Sequence, residues 1–129
     1  MNNPQATRWL RIGCVLGFIG VAAGAFGAHA LDGQVTAQRA EVWSTAARYL
    51  MYHAPPLLLV GLLRVQSAHP GLDRAGWALT VGAAVFSGSL FVLVLADLAI
   101  LGAVTPLGGL SLLVGWALLA HAVGHLAPG

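Results

Sequence analysis

The side chains that carry chemistry are few, and most fall inside apolar runs. Arg48, Tyr49, Tyr52 and His53 lie close together in one such run. Tyr49 and His53 are four apart and share a helical face, while Tyr52 is one turn from Arg48 on an adjoining face. Ser87 and Ser89 lie in a later run, and His29, Asp97 and Thr105 sit towards the ends of theirs. Counted in from the ends of the apolar runs at 1.5 Å per residue, His53 comes level with Ser87, so a contact with Ser87 or Ser89 is feasible. His29 and Thr105 lie above that layer. These residues suit either a hydrogen-bonded network tying helices together or a small polar cavity that binds a ligand or passes a proton. Arg48 has two acidic candidates for a partner, Asp97 at the same membrane face and the more exposed Glu41. A Ser87–His53 pair resembles a nucleophile and its base, but it lacks an orienting carboxylate and an oxyanion site. No HExxH or acidic cluster is present, so an enzyme is not expected.

A second group lies at the opposite end. His121 and His125 are four apart, the spacing used for metal chelation. With Cys14 and His69 they could make a zinc site, yet nothing in the spacing makes the first and last runs neighbours there. Interfacial histidines are the expectation, with no metal and no cofactor. A bis-histidine haem is disfavoured because His29, His53 and His121 fall at three different depths. Cys14 has no internal disulfide partner, and no apolar stretch precedes it as in a lipoprotein signal.

The elements that must position these residues follow from composition. Of 129 residues, 58% are hydrophobic and 8% charged, against about 25% charged in an average soluble domain. Such a chain cannot build a polar surface, so an integral membrane protein is expected. A net charge of +2 with no basic run excludes a nucleic-acid binder. Four apolar segments, Ile12 to Leu31, Trp43 to Val65, Ala75 to Ala96 and Pro106 to Leu126, are each near the ~20 residues needed to cross a bilayer. They must be helical, because a span satisfies its own backbone and four segments are too few for a barrel. Short connections make neighbours antiparallel. The expected fold is all-α, a single-domain four-helix up-down-up-down bundle.

Local signals refine this reading. Pro70-Gly71 is expected to break the chain between the second and third spans. Thr105 is a fair N-cap with Pro106 in the first turn. Pro55-Pro56 inside the second span predicts a kink near Tyr52–Pro56. Residues 34–44 read equally as loop or as a helical extension. The first span imitates a secretory signal, but its long apolar run and the three spans after it point to retention. Gly13, Gly17, Gly20, Gly24 and Gly27 follow a 4-3-4-3 rhythm on one face. That stripe permits close backbone approach, either to the second or fourth span or to a second copy in a homodimer. Gly82, Gly88, Gly108, Gly109 and Gly115 are the candidates for close contacts in the third and fourth spans. Arg8, Arg11, Arg64 and Arg74 at one face outnumber Arg39 and Arg48 at the other, which predicts both termini in the cytoplasm.

Four groups of residues occur in order: Gly24-Ala25-Phe26-Gly27-Ala28-His29-Ala30-Leu31; Thr45-Ala46 with Tyr49 and Tyr52-His53-Ala54; Phe86-Ser87-Gly88-Ser89-Leu90; and Thr105-Pro106-Leu107-Gly108-Gly109 with Gly115-Trp116. Together they resemble the YgdD-like family of small bacterial inner-membrane proteins, to which eukaryotic transmembrane protein 256 also belongs. The resemblance covers nearly the whole chain. It implies a four-span inner-membrane protein with no accepted substrate or catalytic residue. It marks His29, Tyr49, Tyr52, His53, Ser87, Ser89, Thr105 and Pro106 as the signature, and leaves Cys14, His69, His121, His125 and the Pro55-Pro56 pair outside it.

The functional expectation is a non-enzymatic accessory or structural component that packs against other membrane proteins. The alternative is a small transporter, channel or ligand- or lipid-binding bundle using the outer polar layer. A proton-coupled small multidrug exporter is disfavoured, since no acid lies between Ile12 and Leu31.

Overall fold

The computed structural model describes residues 2–126. Four α-helices follow in order: α1 (Pro4–His29), α2 (Ala37–Gln66), α3 (Pro70–Ala96) and α4 (Thr105–Gly124), with a 3-10 turn at Ala99–Ala103 before the last. No strand occurs among the described residues, and the all-α membrane bundle is the fold.

Several boundaries differ from the sequence reading, each for a local reason. The chain does break between α2 and α3, at residues 67–69, and Pro70-Gly71 opens α3. Proline suits the first turn, and the His69 side chain accepts the Gly71 N–H through Nδ1 at 3.0 Å. Residues 34–44 divide between a short loop and helix: Thr36 caps α2 by accepting the Arg39 N–H at 3.1 Å, and the helix begins at Ala37. Thr105 is not an N-cap but the first residue of α4, and its hydroxyl bonds the Leu101 carbonyl instead. α2 continues as helix through Pro55 and Pro56.

Pro4–His29, Pro70–Ala96 and Ala99–Gly124 are long and apolar enough to cross a membrane by themselves. α2, which carries Arg39, Glu41, Arg48 and Arg64, is not in that set, and connectivity makes it a span. Asn3 Nδ2 donates to the Arg64 carbonyl at 2.9 Å, and Trp9 Nε1 donates to Asp73 at 2.7 Å. The starts of α1 and α3 therefore lie at one end, so α2 must return across the bilayer between them. At ~1.5 Å per residue its 30 residues reach about 45 Å.

The helices pack mainly in chain order: α1 on α2, α2 on α3, α3 on α4, with a lighter α1–α3 contact. α1 and α4, which would be neighbours in a closed bundle, make no substantial contact. The glycine stripe faces α2. A Cβ on Gly13 would stand 2.8 Å from Leu58, on Gly20 2.8 Å from Met51, and on Gly27 2.6 Å from Trp43. Gly17 lies at ordinary distance from Ala54, while Gly24 has nothing within 4 Å. The homodimer use of the stripe thus loses its closest members to packing within the chain. Gly82 (against Leu112), Gly108 (against the Phe86 backbone) and Gly115 (against Leu79) form the separate α3–α4 seam, whereas Gly88 is open and Gly109 only brushes Phe86. Small residues let backbones approach where lipid supplies no hydrophobic drive between helices.

Candidate functional site: a lateral cleft between α2 and α4

About four turns into α2, near its middle, the chain presents Tyr49, Tyr52 and His53 towards α4, and a cleft opens there. Its α2 wall is Tyr49, Tyr52 and His53; Phe86 of α3 lies at its base; Gly109, Leu113 and Trp116 of α4 form the other wall. The cleft encloses about 630 Å³, within the usual range for a small-molecule site. Tyr52, Leu110 and Leu113 at its mouth are 57%, 60% and 68% exposed, so it opens sideways into the hydrocarbon rather than to water.

His53 is fixed at both nitrogens. Its Nδ1 lies 2.7 Å from the Tyr49 carbonyl, and the Trp116 indole N–H donates to Nε2 at 3.1 Å. A carbonyl only accepts and an indole only donates, so this geometry selects the neutral ring with its proton on Nδ1. The Tyr49 ring stacks on Phe86, with centroids 4.2 Å apart and planes 29° apart. The Trp116 ring meets the His53 ring edge-on at 5.9 Å. The arrangement is an aromatic wall with one polar bridge across it, suited to holding an apolar group rather than to moving protons.

The remaining polar candidates separate into distinct contacts. His53 meets neither Ser87 nor Ser89. The fully buried Ser87 hydroxyl donates to the Ala46 carbonyl at 2.8 Å. The reason is the true end of α2: measured from Ala37, Ala46 is as deep as Ser87 is from the end of α3, and His53 lies about 10 Å further in. Ser89 pairs with Thr105 at 2.7 Å, hydroxyl to hydroxyl, and ties α3 to α4. Arg48 bonds Glu41 at 2.9 Å and not Asp97. Asp97 instead pairs with Arg39 at 3.0 Å, because the early start of α2 brings Arg39 level with the end of α3. His29 is exposed in the last turn of α1 and joins neither the cleft nor a network.

At the other end His121 and His125 have ring centroids 4.4 Å apart, and His69 and His125 5.7 Å. Cys14 is exposed and stands apart from them. Among the described residues no group of three potential ligands is placed to hold a metal. His125 Nδ1 is bound to the His121 carbonyl at 2.9 Å, and His69 Nδ1 is occupied by its capping role.

Two features escaped the sequence reading. Trp116 was visible only as part of a motif, although an indole N–H inside an apolar helix always asks for an acceptor. The second is a junction of three helices. Asp73 accepts from Trp9 of α1 through Oδ1 at 2.7 Å and from Arg64 of α2 through Oδ2 at 3.0 Å, and Arg64 also donates to the Ser67 carbonyl at 2.9 Å. The Arg64 and Asp73 side chains are only 11% and 25% exposed. An acid in the first turn of α3 close to a basic last turn of α2 was the available signal.

Comparison with known proteins shows a family of membrane proteins. The family described as "Protein of unknown function (DUF423)" matches residues 23–109, which include most of the cleft. The UPF0382 membrane protein SH2409 of Staphylococcus haemolyticus is 40% identical over 108 residues, covering 84% of this chain and 88% of the relative. The UPF0382 membrane protein YwdK of Bacillus subtilis is 38% identical over 112 residues, covering 86% of this chain and 91% of the relative. No solved structure matches the chain. With its helical membrane fold, its ordered motifs and these relatives, the chain belongs to the DUF423 family of membrane proteins, whose molecular function is unassigned.

Proposed function

We propose that the protein is a non-enzymatic accessory component of the bacterial inner membrane that engages another membrane protein laterally through the α2–α4 cleft. The observation that supports this reading is the cleft itself: aromatic walls, a mouth among lipid-facing side chains, and an opening in the plane of the bilayer. A large apolar side chain on a partner helix suits it. The neighbouring polar side chains are already engaged in holding helices together, with His53 on Trp116, Ser87 on Ala46 and Ser89 on Thr105. Both termini face the cytoplasm in this reading, since Arg8, Arg11, Arg64 and Arg74 gather at the end where α1 starts.

The test is a photo-crosslinking residue placed at Leu113 in native membranes, with Phe18 on α1 as the control position. The expected result is a discrete protein adduct from position 113 that vanishes when Gly109→Leu narrows the cleft. Adducts to lipid alone would overturn it. They would favour the second reading, a small amphiphile-binding bundle, for which the aromatic lining and enclosed volume also speak.

A further inference from the structure

The six arginines of the chain divide into two sets. Arg39, Arg48 and Arg64, all on α2, each have a carboxylate partner within 3.0 Å. Arg8, Arg11 and Arg74 are exposed and have no carboxylate partner among the described residues. All three lie at the end where α1 and α3 begin. Asp73, the acid of that end, has one oxygen on Trp9 and the other on Arg64, so it leaves the three uncompensated. The charge there is held apart from the chain's own acids by the way the helices meet.

One of these cations, Arg8, lies against an aromatic platform. The Arg8 guanidinium lies 5.4 Å from the Trp77 ring centroid and 5.8 Å from that of Trp9. The two indoles meet edge-on at 5.1 Å, and Trp77 is 47% exposed. Arg74 sits one turn before Trp77 on α3, and Arg11 one turn after Arg8 on α1. One turn deeper the surface changes character: Val15 follows Arg11, Val81 follows Trp77, and both are about half exposed. The corner between α1 and α3 therefore runs from cations, through indole rings, to aliphatic side chains. That is the order of phosphate, interface and acyl chain in one leaflet.

We propose that this corner is a binding site for an anionic phospholipid. The headgroup phosphate accepts hydrogen bonds from Arg8, Arg11 and Arg74, and an acyl chain lies along Trp77, Val81 and Val15. A zwitterionic lipid presents the same phosphate with a cation beside it and gains less from three unpaired arginines. The site lies between α1 and α3, shares no residue with the lining of the α2–α4 cleft, and does not depend on what that cleft holds.

The experiment is native mass spectrometry of the full chain released from nanodiscs of equal phosphatidylglycerol and phosphatidylcholine. The expected result is preferential retention of phosphatidylglycerol, reduced about tenfold or more by R8Q/R11Q/R74Q and unchanged by R48Q. The three arginines are exposed and make no ion pair among the described residues, so the triple variant is expected to keep the fold, which its circular dichroism checks. In parallel, phosphatidylglycerol brominated on its acyl chain is expected to quench tryptophan emission in the wild type and distinctly less in W77F. Equal retention of both lipids, or retention indifferent to the triple substitution, would overturn the assignment. So would displacement of the lipid by millimolar inorganic phosphate, which would identify a soluble phosphate as the ligand, or an arginine-dependent adduct with a protein in place of lipid.

Discussion

His53 sits in a membrane-spanning helix with both ring nitrogens occupied, one by the turn before it and one by Trp116 of α4. A polar group is tolerated in hydrocarbon when its hydrogen bonds are made inside the protein, and here the second bond also joins two helices that otherwise touch little. Removing it should loosen α4. His53→Ala and Trp116→Phe are each expected to lower stability. A double-mutant cycle in a denaturant titration from micelles should show a coupling of about 0.6 kcal/mol, and no coupling would mean the bond is not made. The glycines allow a sharper contrast. Gly108→Ala drives a Cβ into the Phe86 backbone, which cannot move aside, and should cost about 1–3 kcal/mol. Gly24→Ala, with nothing within 4 Å, should leave the melting temperature in detergent unchanged or raise it. Equal effects of the two would refute the assignment of the packed seam.

At the scale of elements, α2 is the helix that the others serve. It carries three of the arginines, and each finds its acid close by: Asp97 beyond α3, Glu41 on α2 itself and Asp73 on α3. These pairs are not equivalent. Arg48–Glu41 is half exposed and should contribute under ~1 kcal/mol, so Glu41→Gln is expected to be near silent. Arg64–Asp73 is mostly shielded and shares its carboxylate with Trp9. Asp73→Asn is expected to cost about 1–3 kcal/mol and to free the start of α1, seen as faster hydrogen exchange of the first turns of α1 and α3. If exchange changed only at α3, the three-helix junction would be refuted. The apolar runs of the sequence showed that helices exist, but not how far they extend. The early start of α2 at Ala37 shifted every depth estimate made from Trp43, and with it the partners of Ser87 and Asp97.

For the whole molecule, the end that gathers the starts of α1 and α3 holds four arginines against one acid, and the other end holds two against three. Reporter fusions at either terminus are expected to be active only as cytoplasmic reporters, and a periplasmic signal from either would reverse the orientation. The open order of the helices, with α1 and α4 apart, leaves the α2–α4 side with a cleft that a closed bundle would have filled.

Composition and apolar periodicity by themselves determined that the chain is a helical membrane protein, because ten charged side chains cannot dress a soluble surface and a span must satisfy its own backbone. The ordered motifs indicated the family. Which polar groups meet was decided by the tertiary structure alone. A contact inside a bundle depends on depth and on rotation about the helix axis together. A few residues' error at a helix end moves a side chain about 1.5 Å per residue along the axis and turns it by about 100° per residue around it. Sequence spacing constrains both quantities within one helix, where Tyr49 and His53 do share a face, and neither of them between helices.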